Sequence, residues 1–330
     1  MSEVHRKGLF IVGDYNCQEY TEYAKHAEQT GYDSVWLAED LGFRDGIVPL
    51  TALSVSTSRI KLGTGILPIG YRNPALTAMT AATLDELSCG RLILGLGIGA
   101  PRFLAALGID SSNSIDELRE YIQILRLILK GENVRFSGQF YNLTDVKLAF
   151  KPPNHKIPIY LAARRKRMLK LAGEIADGVF LSDGFCSENY IRWAQENVNR
   201  GLRKKDRDER DVDFTCAIFL SASVDHAQAK ENVKPSVLRV LSRGYLDPFL
   251  EMWGLTVADV TPSRDAWIRG NVDEACKKTP DALIDGSAIY GTPDECRKKI
   301  ERLRVAGVEM PVIRPVGSDI HSAIEAAKNW

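Results

Sequence analysis

The sequence predicts an α/β fold, a (β/α)8 TIM barrel with a helical insertion before the last strand. Three observations carry this expectation. Short apolar runs alternate with segments of helical period from end to end, eight such runs can be counted, and no Pro/Ser/Gly-rich linker divides the 330 residues. One domain over 1–330 is therefore expected. Strands that alternate with helices must pair in parallel through crossovers. Eight of them match the closed barrel. A doubly wound open sheet is the alternative.

The first strand is read in Gly8–Gly13, followed by Tyr20, Tyr23, Ala24 and Ala27 at helical spacing until Gly31. Ser34–Ala38 and Ile60–Ile66 read as the second and third strands, and Leu92–Leu96 as the fourth, with a helix over Ala75–Leu87. Ser114 and Glu117 suggest a capping box opening a helix that Gly131 ends. Residues 133–150 read as a hairpin excursion. Strands follow at Ile157–Ala162, Gly178–Leu181, Phe214–Ser221 and Val308–Arg314. Helices are expected over Arg167–Ala176, Glu188–Leu202, His226–Leu241, Thr292–Ala306 and Ser318–Lys328. Thr292, Pro293 and Glu295 form a second capping box. Gly244–Ile284, rich in Pro, Asp and Trp, reads as a helical insertion over a pocket.

Lys+Arg and Asp+Glu are both 43, so the formal net charge is zero. Such a balance gives no long-range pull toward nucleic acid or anionic membranes. No apolar stretch approaches the ~20 residues that span a bilayer, and the N-terminus lacks a signal core. A cytoplasmic setting is expected. The six cysteines form no Cys-x-x-Cys pair and the five histidines no cluster, so the thiols read as reduced and no metal site is expected. His155 reads as structural.

Active sites of this fold lie at the carboxyl ends of the strands. That rule selects the loops at Gly13–Tyr15, Glu39–Asp40, Gly65–Arg72, Gly97–Arg102, Ala163–Arg167, Ser182–Gly184 and Pro315–Gly317. Gly95-Leu-Gly-Ile-Gly-Ala100 fits a dinucleotide fingerprint loosely, and equally a tight turn or the bed of a flat-ring cofactor. Arg164-Arg-Lys-Arg167 sets four cations at a helix start, where the macrodipole disfavours them and a bound anion would resolve the conflict. Glu39 and Asp40 offer acid/base chemistry or a hold on a polar ring edge. Arg72 would reach an anionic group or pair with a carboxylate.

Several segments together resemble the luciferase-like monooxygenase superfamily, in its coenzyme F420-dependent, methylenetetrahydromethanopterin reductase-like branch. They include Gly31-Tyr-Asp-Ser-Val-Trp-Leu-Ala-Glu-Asp40, Ser58-Arg-Ile-Lys-Leu-Gly-Thr-Gly65, Ser88-Cys-Gly-Arg91, Gly95-Leu-Gly-Ile-Gly99, Leu171-Ala-Gly-Glu-Ile-Ala-Asp-Gly178 and Gly291-Thr-Pro-Asp-Glu295. The resemblance implies a non-prolyl cis peptide at Gly65-Ile66 and a ring site at Gly97, Ile98 and Gly99. It implies a phosphate path at Ala162, Ala163, Arg164 and Arg165, joined by Ser182, Asp183 and Gly184. Three positions depart from the family pattern. Asp40 stands where many relatives have His, while Ala100 and Phe10 stand where some have Glu. The expectation is an enzyme passing a hydride between F420 and a small organic substrate, with Glu39, Asp40 and Arg72 as catalytic candidates and homodimers implied by the family. The alternatives are an FMN-dependent monooxygenase and a non-catalytic cofactor-binding homologue.

Overall fold

The computed structural model describes residues 5–13, 15–152, 154, 156–317 and 319–330. The expectations at Asp14, His155 and Ser318 lie outside the described residues. In chain order the elements are β1 (Gly8–Ile11), α1 (Cys17–Gln29), β2 (Ser34–Leu37), α2 (Ile47–Ser56), β3 (Lys61–Thr64), β4 (Leu67–Pro68), α3 (Pro74–Leu87) and β5 (Leu92–Gly97). Next come α4 (Pro101–Ala106), α5 (Ser114–Leu129), the hairpin β6 (Val134–Ser137) and β7 (Asn142–Val146), β8 (Ile159–Ala163), α6 (Lys166–Ile175) and β9 (Gly178–Leu181). The chain closes with α7 (Glu188–Lys204), β10 (Asp213–Ala222), α8 (His226–Ser242), α9 (Val257–Ile268), α10 (Val272–Lys278), α11 (Asp281–Ser287), β11 (Ala288–Gly291), α12 (Pro293–Val305), β12 (Met310–Pro315) and α13 (Ile320–Ala326). The fold is a (β/α)8 barrel, with β1, β2, β3, β5, β8, β9, β10 and β12 in the parallel order of that fold.

Two compact units make up the chain. The first holds residues 11–180 and 198–213. Its strands pair in parallel, β2 with β3 from Ser34↔Lys61, β3 with β5 at Leu62↔Leu92, and β5 with β8 from Leu94↔Ile159. Trp36 is fully buried and packs on Phe180 and Tyr160, with ring centroids 4.8 and 5.6 Å away. Gly63 must be glycine there, because a Cβ would sit 2.3 Å from the Trp36 ring. At the amino end of β5 the buried Arg91 donates to Ser88 O, Thr57 Oγ1, Ile60 O, Ser54 O and Thr57 O over 2.6–3.1 Å. It ties the ends of α2 and α3 to the sheet.

The second unit holds the residues up to Phe10, 181–197 and 214–330. There β12 lies between β1 (Gly8↔Val312) and β10 (Thr215↔Met310), and β11 extends β10 from Phe219↔Ala288. The insertion is helical as expected, and α9, α10 and α11 pack against α8. Burial pushes the thiols of Cys186 and Cys296 up to about 12, so both are inert.

Several expectations need correcting. The third strand does not run through to Ile66 but stops at Thr64. The Ser114 capping box does not form. Asn113 holds the cap position without a side-chain bond, Ser114 Oγ bonds Ser111 O, and Glu117 accepts from Tyr141 instead. The box at Thr292 and Glu295 is present.

Candidate active site

The site begins with a defect in a ladder. Past Gly63, β3 leaves β5, and the Thr64 side chain replaces the lost pairing. Its Oγ1 donates to Gly95 O and accepts from Gly95 N, both at 2.8 Å. The Gly65-Ile66 peptide is cis, as the resemblance implies. The chain rejoins the sheet at β4, where Leu67 faces Leu96 and Pro68 faces Gly97. Gly65 and Ile66 are left half-buried at the carboxyl end of the strands.

Glycines let this segment close onto β5. A Cβ on Gly95 would lie 1.9 Å from Thr64 O, which is rigid backbone. A Cβ on Gly97 would lie 2.9 Å from Ile66 Cδ1 and 3.3 Å from Ala162 Cβ. Gly99 has φ +78° and packs on Pro68, a left-handed conformation that suits glycine. Ile98 beside it is half-buried. Pro101 then starts α4, in the first-turn position where its missing N–H costs nothing.

The carboxylates after β2 are partly engaged. Arg72 Nη1 donates to Glu39 at 2.5 Å and Nη2 to Asp45 at 3.0 Å. Asp45 also accepts from Ile47 N and Val48 N, which fixes the start of α2. The hydrogen bond to Glu39, with burial opposing it, raises the Arg72 guanidinium above its ordinary range. Tyr121 OH donates to Arg72 O at 3.1 Å and lies 2.5 Å from Thr77 Oγ1. Burial pushes Tyr121 up to about 12. Arg72 thus serves the carboxylates of its own unit, and Asp40 is the neighbouring half-buried carboxylate. Sequence reasoning passed over Tyr71, whose buried hydroxyl has no hydrogen-bond partner among the described residues.

Ala162 and Ala163 end β8, and Arg164 is half-buried. Arg165 is the extended N-cap of α6, exposed, with no side-chain cap and no acid in the first turn. The first N–H groups of this helix therefore point out among Arg165, Lys166 and Arg167, an arrangement that suits an anion.

In the second unit, Ser182 and Asp183 are half-buried and Gly184 is left-handed at φ +90°. Asp183 forms an ion pair with Arg314, whose guanidinium lies 5.0 Å from the Phe219 ring and 5.8 Å from Phe10. The Asp183 carboxylate thus has a cation of its own. Phe185, stacked on Tyr190 at 4.7 Å and edge-on to Phe249 at 5.2 Å, braces this loop, as does Trp253 Nε1 donating to Ser187 Oγ at 2.9 Å.

The family profile described as luciferase-like monooxygenase matches residues 6–310. The chain belongs to this family. It is 33% identical over 324 residues to 5,10-methylenetetrahydromethanopterin reductase of Archaeoglobus fulgidus, covering 96% of each chain. It is 34% identical over 320 residues to the protein of the same name from Methanolobus tindarius, covering 96% of this chain and 97% of that one. The solved coenzyme F420-dependent tetrahydromethanopterin reductase of Methanopyrus kandleri superposes with a TM-score of 0.91 at 26% identity, covering 98% and 97% of the two chains. In this luciferase-like chain no described helix is long and apolar enough to cross a membrane.

Proposed function

We propose that this luciferase-like protein is a coenzyme F420-dependent oxidoreductase that passes a hydride between the deazaflavin and a small organic substrate, as a methylenetetrahydromethanopterin reductase does. Full-length similarity to two proteins of that name carries the reading. The residues also fit the cofactor, because Gly95 and Gly97 let Thr64 and Ile66 close directly onto β5, where any Cβ would meet them at 1.9 and 2.9 Å, and so set the half-buried Gly65 and Ile66 at the carboxyl end of the strands. When bound, F420 supplies the hydride-carrying carbon; the protein supplies orientation and electrostatics. Gly65, Ile66, Gly97 and Ile98 would support the ring. Arg164 and Arg165 would hold the phosphate of the tail. Arg72 holds Glu39 in an ion pair, and Asp40 would hold the polar ring edge or move a proton. FMN is the less favoured cofactor, since the FMN-bound neighbour at 18% identity shares the fold alone.

The direct test is oxidation of reduced F420 by methylenetetrahydromethanopterin with the purified protein. Turnover is expected. Turnover with FMN and oxygen but none with F420 would refute the reading. Arg165→Ala is expected to weaken F420 binding about tenfold, the worth of one charge-assisted bond, with an unchanged melting temperature. The loss should shrink at high salt. Equal affinity in a fluorescence titration would remove the tail site from α6.

A homodimer in the cytoplasm is the proposed state. Val48 and Val55 on α2, and Leu76, Met79 and Leu87 on α3, are 44–69% exposed. Exposed apolar side chains on these two packed helices support an interface there. Val55→Glu is expected to convert dimer to monomer in analytical ultracentrifugation. A wild-type protein that sediments as a monomer would rule the dimer out.

A further inference from the structure

The hydroxyl of Tyr71 is buried and has no hydrogen-bond partner among the described residues. Buried donors are nearly always bonded, so an orphan calls for a reason. Tyr71 closes the short turn Ile69–Tyr71 that follows β4, directly beyond the Gly65-Ile66 platform. Its chain neighbour Arg72 is locked to Glu39 at 2.5 Å. The charges of Asp40 and Glu39 both act on the Tyr71 phenol, so these two carboxylates lie near it. Tyr121, bonded to Arg72 O at 3.1 Å, pins the same segment from the other side. Glu39 and Asp45 are both paired with Arg72, whereas the Asp40 carboxylate has no ion pair or side-chain hydrogen bond among the described residues, which makes it the acceptor with its full capacity open. Burial, and then the charges of Asp40 and Glu39, push the Tyr71 phenol above its ordinary range, so it keeps its proton as a donor.

We propose that Tyr71 is a positioning residue whose phenol donates to Asp40 in the F420-loaded protein and so holds that carboxylate as an acceptor for the N–H edge of the ring. This rests on the F420 reading above.

The experiment is a double-mutant cycle. Oxidised F420 is titrated into the wild type, Tyr71→Phe, Asp40→Ala and the double variant by fluorescence, with a thermal melt of each. Tyr71→Phe should weaken binding about threefold to tenfold, the worth of one hydrogen bond. It should melt at or above the wild-type temperature, because an unpartnered hydroxyl is removed. The double variant should bind no worse than Asp40→Ala alone. Wild-type affinity in Tyr71→Phe, or losses that add in the double variant, would overturn the assignment while leaving the F420 reading intact. A wild type that does not bind F420 would sink both.

Discussion

Gly97→Val is expected to weaken F420 binding roughly a hundredfold (about 2.8 kcal/mol). The reason is local geometry. Even a methyl group here would lie 2.9 Å from Ile66 Cδ1. A branched side chain must push Ile66 outward, and Ile66 forms half of the platform. The neighbour that yields is a flexible side-chain tip, so the fold should lose only about 1–3 kcal/mol. Gly95→Ala is the contrasting case, because its added methyl would meet Thr64 O at 1.9 Å. Backbone cannot step aside, so stability and binding should fall together. Cofactor titration and denaturant melts of both variants separate the two effects. Gly97→Val with wild-type affinity would move the ring off this surface.

Arg91→Met is expected to cost about 3–5 kcal/mol of stability. Its five hydrogen bonds go mostly to backbone carbonyls of Ser54, Thr57, Ile60 and Ser88. Methionine matches the volume but strands those acceptors in a buried position. Arg91 stands at the amino end of β5, the end of the barrel that serves stability rather than chemistry. A urea midpoint that drops while F420 affinity in the folded protein holds is the expected result. An unchanged midpoint would mean the carbonyls find other donors at no cost.

Arg91 also shows what the sequence could and could not reveal. The segment Ser88-Cys-Gly-Arg91 stood out by resemblance, but its partners lie up to 37 residues away along the chain. The eight barrel strands were legible because each is a short apolar run between turn signals. Helix α2 was not. Its ten residues, Ile-Val-Pro-Leu-Thr-Ala-Leu-Ser-Val-Ser, are apolar on every side and β-branched in part, so no helical period shows. Its start is fixed by Asp45, which accepts from Ile47 N and Val48 N. Strand β11 escaped notice because Ala-Ile-Tyr-Gly is too short to show alternation.

The site was legible only in part. Glycine spacing pointed at 95–99, and the cations at 164–167 betrayed a helix start in conflict with its dipole. The engagement of Arg72 by Glu39 and Asp45, and of Asp183 by Arg314, depends on tertiary contacts across 27, 33 and 131 residues. No periodicity encodes such distances. Tyr71 carried no signal at all, since an unpartnered hydroxyl is a property of its surroundings.

The most direct test of the central claim is a crystal structure of the protein with oxidised F420. The deazaflavin ring is expected to lie on Gly65, Ile66 and Gly97, with its phosphate at the first turn of α6 beside Arg165. A ring bound away from Gly65, Ile66 and Gly97, or a tail that avoids α6, would contradict it.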